Sequence, residues 1–484
     1  GTIVKTSGDN KGISVPVWNK TTGIVKADTG TLTLSTGSGG NVASGTFAGG
    51  VHLSGTYTLG DATFTGVGNA IYDTVTFAGR TTTVTAPGST TTLSATATGP
   101  GKLIVRGTLD WVGGDMKGGG TTYVSENARL NLVNQSCCSN RSLGSNHTIV
   151  NDGTMSIGTG EGFNFGDAFE VYNHGRLEWS PTTYSDLNGS SALIANAGTF
   201  VKQGTYNGPV SIPVENDGTI EVEAGILSLN ERFRSFARTR NVLKEGEYVL
   251  KGTLRISNLN VVRNAARITL DGTAAALTDT VANNALRNLA FNAGGGRLTL
   301  KNGATLTAVG LVRNAGKVAV EAGSTLMTSG YTQSRGATVL DAPTSTLAVG
   351  TAPGMTLDAG SVRGSGVIQG NVANAGGIVM PGGAAPGQLT IQGNFTQSAG
   401  GSMNLDVAGT SSHDSLSVSG TAALDGRLAL LSSAAYVPVM GDTFNLLTYA
   451  SRTGAFASLS GTALPGGLTY SVQLQPQSTK AVVQ

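Results

Sequence analysis

The feature that most constrains this chain is a phrase that keeps returning. Two apolar residues lead into an Asn, a small or polar residue and a Gly, and alternating apolar residues follow. It reads Ile149-Val150-Asn151-Asp152-Gly153-Thr154-Met155, and again Val171-Tyr172-Asn173-His174-Gly175-Arg176-Leu177. Ile194-Ala195-Asn196-Ala197-Gly198-Thr199-Phe200 and Pro213-Val214-Glu215-Asn216-Asp217-Gly218-Thr219-Ile220 continue it. The asparagines are 22, 23 and 20 residues apart, and Asn264, Asn314 and Asn374 repeat the pattern at wider intervals. A fixed period of this length is the mark of a stacked repeat, and near 22 residues it fits one coil of a three-sided β-helix. Asn and Gly tolerate positive φ where the chain turns a corner. An Asn at the same corner of successive coils can pass its amide hydrogen bond to the coil above, so Asn151, Asn173, Asn196 and Asn216 are expected to form a ladder. The alternative is a set of solvated turn residues.

Between the corners, stretches such as Thr31-Leu32-Thr33-Leu34 alternate apolar and polar side chains, as half-buried strands do. Helical periodicity is nearly absent, with residues 280–291 as its best candidate. A longer repeat is superimposed: Gly1-Thr2-Ile3-Val4-Lys5 matches Gly198-Thr199-Phe200-Val201-Lys202, and Val15-Pro16-Val17-Trp18-Asn19 matches Ile212-Pro213-Val214-Glu215-Asn216, both 197 residues on. Residues 1–35 thus resemble 198–230, which indicates a duplicated block of coils. The expected fold is all-β: a right-handed parallel β-helix over 1–401, then a β-rich, more antiparallel terminal unit over 402–484. At ~22 residues per coil and ~4.8 Å per step, the body would be a rod of roughly 80–90 Å.

Composition narrows the function. Charged residues make up 12% of the chain, about half the usual ~25%, and the net charge is +2, so no footprint for nucleic acid is visible. Hydrophobic residues at 39% argue for burial despite 72 glycines in 484 residues. No run of 18 apolar residues exists, so no transmembrane helix is expected. The chain opens at Gly1 in strand-like sequence, which reads as a processed chain or a fragment. Its two cysteines, Cys137 and Cys138, are adjacent and build neither a disulfide framework nor a zinc site. They could form a vicinal disulfide or stay as two thiols.

Several blocks resemble large bacterial surface proteins of the autotransporter-passenger and filamentous-haemagglutinin type. The blocks are Leu243-Lys-Glu-Gly-Glu-Tyr-Val-Leu-Lys-Gly-Thr-Leu254, Ala265-Ala-Arg-Ile-Thr-Leu-Asp-Gly272 and Val362-Arg-Gly-Ser-Gly-Val-Ile-Gln-Gly-Asn-Val372. Met380-Pro-Gly-Gly383, Pro386-Gly-Gln-Leu-Thr-Ile391, Asn394-Phe-Thr-Gln397, Asp414-Ser-Leu-Ser-Val-Ser-Gly420, Gly441-Asp-Thr-Phe-Asn-Leu-Leu447 and Gly454-Ala-Phe456 extend the likeness. It covers 198–484 well and 36–190 less closely. The resemblance implies a secreted, extracellular or cell-surface scaffold, structural or adhesive. Such motifs specify a scaffold far more than an activity. The sequence departs from the autotransporter plan in carrying no C-terminal membrane barrel, which leaves export and anchoring open.

The competing function is a polysaccharide-binding or polysaccharide-cleaving β-helix, which needs clustered carboxylates. Glu161, Asp167, Glu170, His174 and Trp179 are the candidates, because carboxylates beside aromatics suit sugars. Histidines otherwise stand alone, without metal-ligand spacing, and no nucleophile elbow or phosphate loop appears. No cofactor and no catalysis are expected. The basic stretch Arg232, Arg234, Arg238, Arg240 and Lys244, with Phe233 and Phe236, reads either as a docking patch or as an excursion whose rings cover the core. Thr2, Ile3, Val4 and Lys5 are a candidate assembly strand for self-association into filaments, with host or matrix glycans as the other expected partner.

Overall fold

The computed structural model describes residues 1–79, 82–133, 141–158, 162–182, 185–383 and 385–484. Cys137 and Cys138 lie outside the described residues. The chain is a β-solenoid of about 19 turns, nearly all-β with about 1% helix. It divides into two compact units. One is Gly1–Ser235 with Gly246–Tyr248 and Gly252–Asn258, and the other is Phe236–Glu245, Val249–Lys251 and Leu259–Gln484.

In the first unit, parallel strands stack coil upon coil into three sheets. The first sheet begins with Thr2–Lys5 and Ile24–Ala27 and reaches Thr121–Val124, His147–Asn151, Phe169–Asn173, Leu193–Asn196 and Val214–Asn216. The second includes Lys11–Ile13, Leu32–Leu34, Thr154–Ile157, Arg176–Trp179, Thr199–Lys202 and Thr219–Val222. A third runs from Arg141–Ser142 through Phe163–Asn164, Leu187–Asn188, Gly208–Ser211 and Ile226–Leu229 to Thr253–Ile256. The strands form because every second side chain is apolar or small and can turn inward. In Thr90–Thr98, inward Thr91, Leu93, Ala95 and Ala97 alternate with half-exposed Thr90, Thr92 and Ser94. Register then places like on like: Phe47 and Phe64 are neighbours in adjacent coils and stack at 5.3 Å between ring centroids.

The duplicated block keeps its strands but not its faces. Thr2–Lys5 and Ile24–Ala27 lie in the first sheet, whereas their counterparts Thr199–Lys202 and Thr219–Val222 lie in the second. Likewise Lys11–Ile13 and Leu32–Leu34 are in the second sheet, and Gly208–Ser211 and Ile226–Leu229 in the third. The repeat offset is therefore not a whole number of turns, and the later copy enters one face on. One device survives in both copies. The buried Lys5 donates its ammonium to the carbonyls of Gly8 (2.9 Å) and Thr29 (2.5 Å). Lys202, fully buried, donates to Gly204 (2.6 Å), Tyr206 and Ala224 (2.9 Å). Each lysine staples its strand to the next coil through backbone carbonyls.

In the second unit, parallel stacking passes beyond residue 401. Ser402–Gly409 pairs with Ile378–Pro381 and with Arg427–Ser432, which pairs on to Ser458–Ser460. The antiparallel character expected from 402 is local: a hairpin of Ser402–Gly409 with Ser412–His413, and the group Thr443–Thr448, Tyr470–Leu474 and Ser478–Val483. Edge-on packing of Phe444 against His413, Tyr436 and Tyr470 fills that group. Residues 280–290 form turns rather than a helix, with Asn284 in a β-bridge to Thr278 and Phe291 opening a strand, and Asn284 Oδ1 takes the backbone N–H of Leu286 at 2.9 Å. This is the local competition by which Asn disfavours helix interiors. In the basic stretch, Phe233 and Phe236 are buried while Arg232, Arg234, Arg238, Arg240 and Lys244 stay exposed.

Candidate functional site

The corner asparagines follow from the register. Asn151, Asn173, Asn196 and Asn216 end four successive strands of the first sheet and are Cα neighbours down the stack. All are at most 2% exposed. Asn151 Nδ2 donates to Asn173 Oδ1 at 2.7 Å, Asn173 to Asn196 at 2.6 Å, and Asn196 to Asn216 at 2.6 Å. Spare amide hydrogens reach backbone carbonyls of the following coil, Arg176, Thr199 and Thr219. The ladder has ends. Asn151 stacks on Val124, which carries no donor, and Asn151 Oδ1 is buried without a partner. At the other end Ser235 Oγ accepts from the Asn216 N–H (2.7 Å) and donates to its carbonyl (3.0 Å).

A second ladder lies in the second unit: Asn264 to Asn292 (2.9 Å), Asn292 to Asn314 (2.7 Å) and Asn314 to Gln333 (3.0 Å). Asn374 donates to Gln397 at 3.2 Å. Gln333 and Gln397 escape a search for Asn. Their phrases, Tyr331-Thr-Gln-Ser-Arg-Gly336 and Phe395-Thr-Gln-Ser-Ala-Gly400, keep the rest of the pattern and carry the signal.

The carboxylate–aromatic candidates do not converge. Glu161 lies outside the described residues. Asp167 is exposed at a corner, where Ser190 Oγ donates to it. Glu170 projects outward from the first sheet and accepts from Tyr172 Oη at 2.9 Å. That hydrogen bond raises the Tyr172 phenol. His174 stands on the exposed corner, with Nδ1 2.9 Å from Asp152 Oδ1. Tyr123 Oη donates to the other oxygen of Asp152, and these two bonds hold the Asp152 carboxyl below its usual range. Trp179 is fully buried, its Nε1 without a partner. It cannot offer a ring to a sugar. The reason is strand parity: Leu177 and Trp179 point inward from Arg176–Trp179, and Glu178 points out.

Glu178 belongs to another face. It meets Arg129 Nη2 at 3.1 Å, Arg176 Nε at 2.7 Å and Ser156 Oγ at 3.1 Å on the second sheet. Partial burial raises its pKa, but the Arg176 and Ser156 hydrogen bonds and the two arginine charges outweigh burial, and the net shift is downward. Among the described residues, no group of three or more His, Cys, Asp or Glu side chains could hold a metal ion. No helix there is long and apolar enough to cross a membrane.

In the assembly candidate, Thr2, Ile3 and Val4 are exposed and Lys5 is buried. Thr2–Lys5 pairs with Ile24–Ala27, beside an open hollow of about 520 Å³ lined by Ile3, Trp18 and Ile24 among others. No protein-family model matches the chain, and no curated protein matches it.

Proposed function

We propose that this chain is an extracellular structural or adhesive β-solenoid with no catalysis of its own, of the bacterial surface-protein kind that its terminal motifs resemble. The observation that carries this reading is the dispersal of the reactive groups among the described residues. Glu170 and Glu178 face out from different sheets, Trp179 is in the core, and Asp152 is committed to Tyr123 and His174. A glycosidase or lyase needs two such groups facing one bond. The inward amides, by contrast, are joined from coil to coil, which suits a part that must hold its shape.

The test is incubation with a panel of neutral and uronic-acid polysaccharides, assaying new chain ends and retention on the same immobilised polymers. The expected result is retention on at least one of the polymers, without cleavage of any. Cleavage abolished by Asp167→Ala or Glu170→Ala would overturn the reading. Self-association belongs to the same proposal, with the strand Thr2–Lys5, exposed at Thr2, Ile3 and Val4, accepting a strand from a second copy. Light scattering at rising concentration should report growing assemblies; strictly monomeric scattering would remove that part.

A further inference from the structure

The outward face of the first sheet differs from that of the second. Val84, Ile104, Tyr123, Val150, Tyr172 and Ala195 are register neighbours in six successive coils, and all are half-exposed. They form an unbroken apolar column. The corresponding outward column of the second sheet reads Asp110, Asn131, Ser156 and Glu178. A continuous half-exposed apolar row, where the second sheet turns polar side chains outward, marks an interaction surface.

Polar groups border the row on both sides. Glu170 holds Tyr172 Oη, and Asp152 holds Tyr123 Oη. Lys102 Nζ lies 4.8 Å from the Tyr123 ring centroid. His174, fixed through Nδ1 to Asp152, leaves Nε2 at the corner beside them. We propose that this column is a docking track for an extended, neutral, β-linked polysaccharide, and so is the adhesive surface of the function proposed above, on which this inference rests.

Four features select that occupant. Pyranose rings in an extended β-linked chain present apolar C–H faces with hydroxyls at the rim, and the column offers apolar side chains with a donor and acceptor border. Tyr123 and Tyr172 are two coils apart, roughly 10 Å at ~4.8 Å per step, close to the length of one disaccharide. A row one side chain wide and five such steps long is also far smaller than the roughly 800 Å² per partner of a stable protein interface, so a second copy does not suit it. The Glu170 and Asp152 carboxylates are tied to tyrosine hydroxyls, and of the cations beside the row Lys102 lies over the Tyr123 ring and Arg234 pairs with Glu215 at 3.6 Å, so a polyuronate gains little.

Cellohexaose and chitohexaose titrated calorimetrically into the full chain test the proposal, with hexagalacturonate as the charged comparison. At least one neutral hexasaccharide should bind saturably. Tyr123→Ala and Tyr172→Ala should each weaken it roughly tenfold, with unchanged circular dichroism. Glu221→Gln, on the second sheet, should bind as the parent does. Loss of all binding to the parent chain, or binding indifferent to both tyrosine substitutions, overturns the track. So does preferential binding of hexagalacturonate that depends on Lys102, or a dimer that dissociates in the tyrosine variants. Each of these leaves the non-catalytic scaffold standing, because that reading fails only on new chain ends, which are assayed in the same samples.

Discussion

Replacing Asn173 by Ala removes the middle of a three-bond amide chain, and the cost can be worked from its partners. Asn173 is fully buried. Its Oδ1 accepts from Asn151 (2.7 Å), and its Nδ2 donates to Asn196 Oδ1 (2.6 Å) and the Thr199 carbonyl (3.1 Å). Asn151 Nδ2 keeps the Arg176 carbonyl at 3.1 Å, so it is only partly orphaned. Asn196 Oδ1 loses the one side-chain donor facing it, and the Thr199 carbonyl loses a second bond. A buried polar group left without its partner costs about 1–3 kcal/mol. One full and two partial losses give about 2–4 kcal/mol. Stacked repeats open segment by segment, so the assay is native-state hydrogen exchange on the coils around 147–222 rather than a global melt. Exchange there should accelerate by at least about thirtyfold. Thr33→Ala, which removes a half-exposed hydroxyl, should cost under about 0.5 kcal/mol. Equal and small effects at both sites would refute the ladder as a stabilising element.

Further consequences follow from the same contacts. Val124→Asn places an amide donor beneath the unpartnered Asn151 Oδ1 and should slow local exchange, by about 0.5–1.5 kcal/mol if one net hydrogen bond forms. Gly208→Ala would set a methyl 2.6 Å from the buried Trp179 ring and should cost about 1–3 kcal/mol, read as quenching or shift of Trp fluorescence and faster exchange. Burial lowers His147 from 6.5 to about 4, with Nδ1 unpartnered and Thr122 Oγ1 3.0 Å from Nε2. The unfolded chain therefore binds the proton first as pH falls. Its contribution is complete above about 6.5 and is lost towards pH 4, about 3 kcal/mol in all, and His147→Gln should flatten that part of the pH–stability curve.

The corners were legible in the sequence because each one spends a recognisable phrase, Asn-x-Gly, at a nearly constant period. Gln333 and Gln397 occupy the same inward position with a longer amide, so the geometry is shared while the letter is not. Trp179 was misplaced as a sugar platform for a different reason. Proximity in sequence to Glu170 hides the corner at Asn173–Gly175, after which the chain changes face and the inward parity restarts at Leu177. The same limit explains the duplicated block. Strand identity is written locally, as in Lys5 and Lys202, but the face a strand occupies depends on the summed lengths of all preceding loops. The apolar column is invisible for that reason too: Tyr123 and Tyr172 are 49 residues apart and meet only through the register of three strands.

Disulfide trapping tests directly whether the coils stack in parallel with Thr199 beside Thr219. Thr199 and Thr219 are outward register neighbours in adjacent coils. In a chain with Cys137→Ser and Cys138→Ser, Thr199→Cys with Thr219→Cys puts the two Cα atoms about 4.8 Å apart, within disulfide reach. Thr199→Cys with Glu221→Cys, displaced two residues along the strand, puts them about 8 Å apart, beyond that reach. Mild oxidation should close the first pair and leave the second open, scored by free-thiol titration and peptide mapping. Closure of the displaced pair in preference to the registered one would contradict the stacked solenoid.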